Sequence, residues 1–192
     1  FNTITLIRYD IIVSKIQIFG RNIFMIIRNA NIIDIENIAN LYITNWKNTY
    51  SELLSQDFLD SLTVNSAIYK WSNYLNSENN KLFVAYEKDE FLGFVASKVD
   101  DEDAHWWYLD SLHVNKNARG HGVGTKLIYE VGKYALTNNY KSMSICIVCG
   151  NDNAGNLYKK LGATHYKYFV DDFGGTKSNS QKLVWRDLSI FK

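Results

Sequence analysis

Apolar residues recur at helical spacing soon after residue 24. The segment that starts at residue 35 places its apolar side chains on one helical face, and Asp34 stands before it as a predicted N-cap. Two further helices are predicted at residues 55–62 and 67–75. The apolar face of the first helix consists of Ile35, Ile38, Ala39, Tyr42 and Ile43.

Continuous and alternating apolar runs predict the strands. Residues 81–87 and 91–99 flank the turn 87–90 and should form a hairpin, and Gly162 should end a short helix as its C-terminal cap. The other predicted elements are strands at 24–28, 106–114, 142–149, 166–170 and 181–185, helices at 125–136 and 154–161, and a polar loop at 171–180.

This order of elements predicts an α/β fold in which a mixed sheet carries helices on both faces. Hydrophobic residues make up 46% of the 192-residue chain, enough for a full core, so disorder is not expected. We assign one domain to residues 25–192, beginning at Met25. Residues 1–24 are interpreted as an N-terminal extension, either a translated leader or an arm such as an added strand.

Charge and hydropathy exclude several classes of function. The net charge of +1 gives no footprint for nucleic acid. The most apolar N-terminal segment, residues 4–24, is interrupted by charged residues such as Arg8, Asp10 and Lys15, and it lacks a signal-peptide layout. We therefore expect a cytoplasmic, soluble protein that binds neither nucleic acid nor membranes.

Two cysteines, Cys146 and Cys149, form a single Cys-x-x-Cys pattern. A redox or zinc half-site is one interpretation, but no second pair exists to complete a zinc site. The surrounding residues 144–149 are typical of a buried strand, on which residues three apart point to opposite faces. Plain core cysteines in a reducing compartment are the favoured interpretation.

The segment 117–127 places Gly120, Gly122 and Gly124 behind Arg119, between a predicted strand and a predicted helix. Glycines allow positive φ angles, and the first amides of a helix bind anions, so this loop suits a phosphate or pyrophosphate. The spacing fits neither a Walker loop nor the G-x-G-x-x-G dinucleotide fingerprint. The alternative is a glycine-rich turn that binds nothing.

The pattern Arg119-x-x-Gly122-x-Gly124 resembles the acetyl-coenzyme A loop of the GNAT superfamily of N-acetyltransferases. The strand residues 109–114 precede it at the interval usual in that family. Downstream, residues 151–163 resemble the family's second cofactor segment, an Asn-x-x-Ala stretch that runs into Tyr-x-x-Leu-Gly. The resemblance covers about residues 25–188, and it implies a mostly antiparallel mixed sheet and acetyl-CoA as acyl donor.

The resemblance also implies roles for individual residues. Main-chain groups of the strand would pair with the pantetheine arm, the N–H groups of the loop would hold the pyrophosphate, Asn151 would bind the pantetheine and Tyr158 would lie near the sulfur. The predicted cofactor-binding residues are Leu112, His113, Val114, Arg119, Gly120, His121, Gly122, Val123, Gly124, Thr125, Asn151 and Tyr158.

Acetyl transfer to an amine needs a base for the ammonium and an acid for the departing thiolate. Tyr158 is the predicted acid, although it could also serve only in packing. Related enzymes often carry a glutamate near Tyr108, where this chain is aromatic, so Asp110, acting through water, is the predicted base and His113 the alternative. The main-chain N–H of Leu112 is the expected oxyanion donor.

The predicted reaction is direct attack by a primary amine on acetyl-CoA in a ternary complex, with no covalent step at Cys146 or Cys149. The acceptor would be a small-molecule or peptide amine, and a homodimer is possible. The acidic run 100–103, followed by His105, is interpreted as a rim for a cationic acceptor or as a solvated loop, and no metal site is predicted. A non-catalytic acyl-CoA sensor or scaffold is the main alternative, and a protein-interaction module the third.

Overall fold

The computed structural model describes the backbone of residues 12–18 and 21–192 and the side chains of residues 25–192. Its strands are β1 (Ile12–Ile18), β2 (Arg21–Asn29), β3 (Asn80–Glu87), β4 (Glu90–Val99), β5 (Trp106–Val114), β6 (Ser142–Val148), β7 (Thr164–Phe173) and β8 (Thr176–Trp185). Its α-helices are α1 (Ile35–Thr49), α2 (Gln56–Ser61), α3 (Val64–Leu75), α4 (Val123–Thr137) and α5 (Asp152–Lys160).

The strands form one sheet in the order β1-β2-β3-β4-β5-β6-β8-β7. Neighbouring strands are antiparallel except for the parallel pair β5 and β6. One apolar cluster joins α1 and α3 to one face, and a second joins α4 to the other face. The predicted fold, a mostly antiparallel mixed sheet with helices on both faces, is confirmed.

Helix α1 buries the face that the sequence predicted, from Ile35 to Ile43. The predicted capping role of Asp34 is wrong, because its side chain makes no cap bond to α1. The buried Asp34 carboxylate instead accepts two bonds from the Arg28 guanidinium, at 2.7 and 2.8 Å, and one from the Tyr86 hydroxyl at 2.9 Å. Asp34 therefore ties α1 to β2 and β3.

The polar loop predicted at residues 171–180 is wrong. Strands β7 and β8 continue through it as a hairpin, whose turn contains Gly174 at φ +62° and Gly175 at φ +89°. Two glycines with positive φ match the tight turns that join twisted antiparallel strands. The polar side chains misled the prediction, since β7 is an edge strand and its outer positions are exposed.

The N-terminal part of the chain adds to the sheet. Strand β2 begins at Arg21 rather than at residue 24, and β1, which lies within the predicted extension, pairs with it in antiparallel register. The division of the chain between residues 24 and 25 stays a prediction. Among the described residues, none of the helices is both long and apolar enough to cross a bilayer.

Candidate active site

Strands β5 and β6 part after a short parallel contact. Only three residue pairs join them in the described structure, from Trp106 with Ser142 to Tyr108 with Ser144. Beyond these pairs the two strands separate, and a gap opens in the middle of the sheet. Both cavities of the site lie along this gap.

A β-bulge at Asp110 directs this side chain towards the gap. In the register between β4 and β5, Ala96 pairs with Ser111 and Ser97 with Leu109, so Asp110 is the extra residue. The bulge also shifts the alternation along the strand. As a result, Leu109 and Leu112 pack on the same apolar cluster although they are three residues apart.

The main chain of Leu112 and Val114 faces the gap. The Asn115 N–H donates to the Leu92 carbonyl at 2.8 Å, which makes Gly93 and Val114 a non-hydrogen-bonded antiparallel pair. The polar groups of Val114, and of Leu112 two residues before it, therefore point away from β4. The edge that the sequence assigned to a pantetheine arm is in place, and that pairing itself stays a prediction.

The glycine loop leads into α4 with two residues of positive φ, Gly120 at +78° and Gly122 at +79°. Gly122 occupies the N-cap position, where no side chain accepts a bond from the first amides of the helix. Those amides point outward at the positive end of a 15-residue helix. The segment is therefore suited to bind an anion.

Gly124 has a different role from the other two glycines, because its φ is not positive. A Cβ at this position would lie 3.6 Å from the Val114 side chain and 3.7 Å from that of Leu157, which are ordinary contacts. No protein atom therefore requires a glycine there. The space that its missing side chain leaves open belongs to an adjacent cavity.

This cavity, here called the loop cavity, has a volume of ≈ 580 Å³. It contains all predicted cofactor residues except His121, whose side chain is exposed. Its lining residues are Asn45, Thr49, Tyr50, Leu112, His113, Val114, Ala118, Arg119, Gly120, Gly122, Val123, Gly124, Thr125, Asn151, Asn153, Ala154, Leu157 and Tyr158.

Arg119 ties the loop to α1. Its Nη2 donates to Asn45 Oδ1 at 2.8 Å and its Nε to the Val114 carbonyl at 3.2 Å, and Asn45 Nδ2 donates to the same carbonyl at 3.2 Å. The Val114 carbonyl thus already has two donors. This leaves the Val114 N–H and both main-chain groups of Leu112 as the candidates for pairing with a ligand.

A second cavity of ≈ 180 Å³, here called the strand cavity, is also lined by Tyr158. Its lining residues are Trp46, Tyr50, Tyr108, Asp110, Ser111, Leu112, His113, Ile145, Cys146, Ile147, Val148, Asn151, Ala154, Tyr158, Asp171, Phe173 and Ser180. The two cavities meet, because Tyr50, Leu112, His113, Asn151, Ala154 and Tyr158 line both.

Tyr158 is buried at this junction, with 4% of its surface exposed. Its ring packs edge-on against Trp185 at 5.8 Å between centroids. Burial raises the pKa of the Tyr158 hydroxyl well above its ordinary value, with a smaller contribution from Tyr50. The phenol therefore carries its proton at any physiological pH.

The two candidate bases differ in their surroundings. Burial raises the pKa of Asp110, and the positive charges of Lys70 and Lys98 only partly offset this effect. Burial lowers the pKa of His113 to about 3, and its ring lies between Phe94 at 5.0 Å and Tyr42 at 5.3 Å. An imidazole with so low a pKa is a weak proton acceptor, so the geometry and charge favour Asp110.

Asn151 already uses part of its side chain within the protein. Its Oδ1 accepts a bond from the Ala154 N–H at the start of α5, and its Nδ2 donates to the Tyr50 hydroxyl, both at 3.4 Å. One N–H of the amide remains for a ligand. Asn151 thus also holds α5 against α1.

The acidic run at 100–103 was interpreted as a rim for a cationic acceptor or as a solvated loop. Neither interpretation fits Asp100, because its side chain is buried. Asp100 Oδ1 accepts a bond from Lys182 Nζ at 2.9 Å, and its other oxygen bonds the Ser144 hydroxyl. Burial alone would raise the pKa of Asp100, but these bonds and that from the Glu102 N–H outweigh burial and lower it. The run therefore anchors β4 to β8.

The cysteines are not the plain core residues that the sequence favoured, because both are half-buried. Cys146 lines the strand cavity, and burial raises the pKa of its thiol although a hydrogen bond with Tyr108 opposes the shift. A thiol of raised pKa is a poor nucleophile at neutral pH.

Comparison with known proteins identifies the family. Residues 36–163 match the acetyltransferase (GNAT) family. The chain belongs to this family. An uncharacterized N-acetyltransferase of Bacillus subtilis, YuaI, is 23% identical over 169 residues, which are 86% of this chain and 95% of that protein.

Two further similarities concern ligands. The thialysine N-epsilon-acetyltransferase of Mus musculus is 39% identical over 56 residues, 29% of this chain and 33% of that protein. A putative acetyltransferase from Salmonella typhimurium, yncA, solved with its cofactor acetyl-CoA, has a TM-score of 0.67 at 17% identity, over 84% of this chain and 93% of that one.

Several residues of the site were not predicted from the sequence. Asn45 and Asp171 carry no motif, and only the folded chain brings them to the cavities. Phe173 lay in the segment that was predicted to be a loop. The predicted residues lie mainly in two short segments, 110–125 and 151–158, which the structure brings to opposite sides of one gap.

Proposed function

We propose that the protein transfers an acetyl group from acetyl-CoA to a primary amine, by direct attack within a ternary complex. The observation that carries the proposal is the meeting of the loop cavity and the strand cavity at the buried Tyr158. The loop cavity offers uncapped amides and a free strand edge to the acyl donor. The strand cavity also reaches Tyr158 and is left for the amine.

The residues present fit acetyl-CoA. The space at Gly124 and the open amides of α4 suit a pyrophosphate, and the free edge of β5 suits an extended amide-bearing arm. When bound, acetyl-CoA supplies the acetyl group as a thioester.

The side chains of the strand cavity handle the protons. Asp110, through water, accepts a proton from the incoming ammonium, and its raised pKa brings it nearer to that of the group it deprotonates. The Leu112 N–H is a fixed donor for the oxyanion that develops during attack. Tyr158 donates its proton, or a hydrogen bond, to the leaving sulfur.

The proposal is tested by measuring thiol release from acetyl-CoA over a panel of amines. We expect release above the uncatalysed rate, and initial rates that give intersecting lines when both substrates are varied. Incubation with acetyl-CoA alone should leave the protein unacetylated by intact mass spectrometry, because Cys146 and Cys149 take no part.

Tight binding of acetyl-CoA without turnover of any amine would instead favour a sensor or scaffold. The aromatic Tyr108, at the strand position where related enzymes often carry a glutamate, favours that second function. A cytoplasmic location, a peptide acceptor and self-association stay predictions.

A further inference from the structure

The strand cavity contains two carboxylates and no cationic side chain. Asp110 of β5 and Asp171 of β7 both line it, and its described lining includes neither a lysine nor an arginine. The one histidine, His113, is neutral, since burial lowers its pKa to about 3. The cavity is therefore negative at neutral pH wherever these carboxylates are ionised.

Neither carboxylate has an ion-pair partner among residues 25–192. Asp110 Oδ2 accepts a bond from the Ser111 hydroxyl at 3.3 Å, and Asp171 Oδ1 accepts one from the Asp172 N–H at 3.0 Å. The buried Asp100, by contrast, has Lys182 at 2.8 Å. Lys70 and Lys98 act on Asp110 only through their charge, without an ion pair, and Asp171 is half-buried. Both carboxylates can therefore accept a cation from a ligand.

Three aromatic rings line the strand cavity together with the two carboxylates. Trp46 lies 4.8 Å from Tyr50 and 5.9 Å from Phe173 between ring centroids, and all three line the cavity. Ring faces attract cations and provide apolar surface for a carbon chain. These ring faces thus suit an alkyl ammonium.

The two carboxylates lie on different strands. In the sheet order β5-β6-β8-β7, two strands lie between β5, which carries Asp110, and β7, which carries Asp171. A ligand that reaches both therefore needs two positive groups joined by a carbon chain. A carboxylate on the ligand would lie near Asp171 with no lysine or arginine in the described lining to neutralise it.

We propose that the acceptor is a primary amine that carries a second cationic group and no carboxylate, and that Asp171 binds the second cation. Asp110 then faces the amine that is acetylated, and Asp171 determines specificity. The inference rests on the acetyl transfer proposed above and narrows its acceptor from amines in general to diamines and longer polyamines.

Three matched acceptors test the proposal. Lysine is 1,5-diaminopentane with one added carboxylate, and pentylamine is the same chain without the second amine. We expect kcat/KM for the diamine to exceed that for lysine and for pentylamine by about tenfold or more, the effect of one desolvated charge contact. Calorimetry with the coenzyme A complex should give the same order of affinity.

The substitution Asp171→Asn keeps the shape of the side chain and removes its charge. We expect KM for the diamine to rise about tenfold while kcat changes little, and pentylamine kinetics to stay the same. The matched control is Asp172→Asn, one residue further along β7, where the amide can still accept the Gly175 N–H bond, now 2.6 Å long. This control should leave the preference for the diamine unchanged.

Equal kcat/KM for lysine and the diamine would overturn the proposal, and so would an Asp171→Asn effect of equal size on the diamine and on pentylamine. Either result leaves the proposed acetyl transfer intact, because the amines are still acetylated. Absence of thiol release with every amine, while acetyl-CoA binds, would instead overturn the proposed function itself.

Discussion

The loop cavity offers main-chain amides and a strand edge to a ligand, whereas the strand cavity offers carboxylates and aromatic side chains. Amides of α4 and the edge of β5 define the first, and they come from one continuous stretch, residues 112–125. The second is assembled from α1, β5, β6, α5, β7 and β8. A binding site made of main-chain groups tolerates most side-chain substitutions. The same loop can therefore occur in proteins that use different acceptors.

Tyr158 lies where the two cavities meet, and its loss should have the largest effect. The substitution Tyr158→Phe keeps the ring and its packing but removes the hydroxyl, so we expect kcat to fall by about 10²- to 10⁴-fold with acetyl-CoA affinity unchanged. Single-turnover rates and calorimetry measure the two quantities.

The pH profile sharpens this prediction. Because burial raises the pKa of Tyr158, deprotonation of its hydroxyl should produce no falling limb at moderately alkaline pH. A normal rate in the phenylalanine variant would reduce Tyr158 to a packing residue, and the proton would then come from water or from the amine.

Gly124 tests whether the loop cavity depends on open space rather than on a charged side chain. The substitution Gly124→Val fills that space without requiring positive φ, and we expect acetyl-CoA affinity to fall at least about 100-fold. Because valine is a better helix former than glycine, thermal stability should not drop.

Gly132 of the same helix is the matched control. A Cβ there would lie 2.2 Å from the Phe191 ring, so Gly132→Ala should lower the melting temperature and leave the affinity of the folded protein unchanged. Equal affinities in the Gly124 variant and the wild type would refute the assignment of the loop.

The charge of Asp110 tests the proposed base in the strand cavity. The expected effect on the rate is smaller than the effects of the Tyr158 and Gly124 substitutions. We expect Asp110→Asn to lower kcat/KM at neutral pH by about 10- to 100-fold, since solvent water can partly replace the base. Its pKa is raised above 3.8, and only the ionised form, present above that pKa, accepts a proton. The wild-type rate should therefore fall as pH drops through this pKa, and the variant should lack this limb.

Stability provides an independent check on the same residue. A carboxyl whose folded pKa is raised favours the folded state below its unfolded pKa, and this contribution is lost as pH rises through the folded value. The ionised Asp110 thus weakens the fold at neutral pH, and Asp110→Asn should melt at the same temperature or higher. A lower melting temperature would contradict the desolvated state of this carboxylate.

The sequence predicted the residues of the loop cavity well and those of the strand cavity poorly. The glycine spacing, the strand 106–114 and the helix after it follow from local patterns, and the structure has them within two residues. The bulge at Asp110 and the position of Asp171 in the strand cavity depend on sheet register. No local sequence pattern encodes that register. The paired glycines at 174 and 175 were the one signal that could have predicted the missing hairpin.

The hydrogen bond from Arg119 to Asn45 has a consequence for how the two ligands bind. Asn45 precedes Trp46 on α1, so the loop that would hold the coenzyme is bonded to the helix that forms a wall of the strand cavity. Occupancy on one side should then stiffen the other, and the resulting coupling free energy acts equally in both directions. We expect the coenzyme to strengthen acceptor binding, and the acceptor to strengthen coenzyme binding by the same factor.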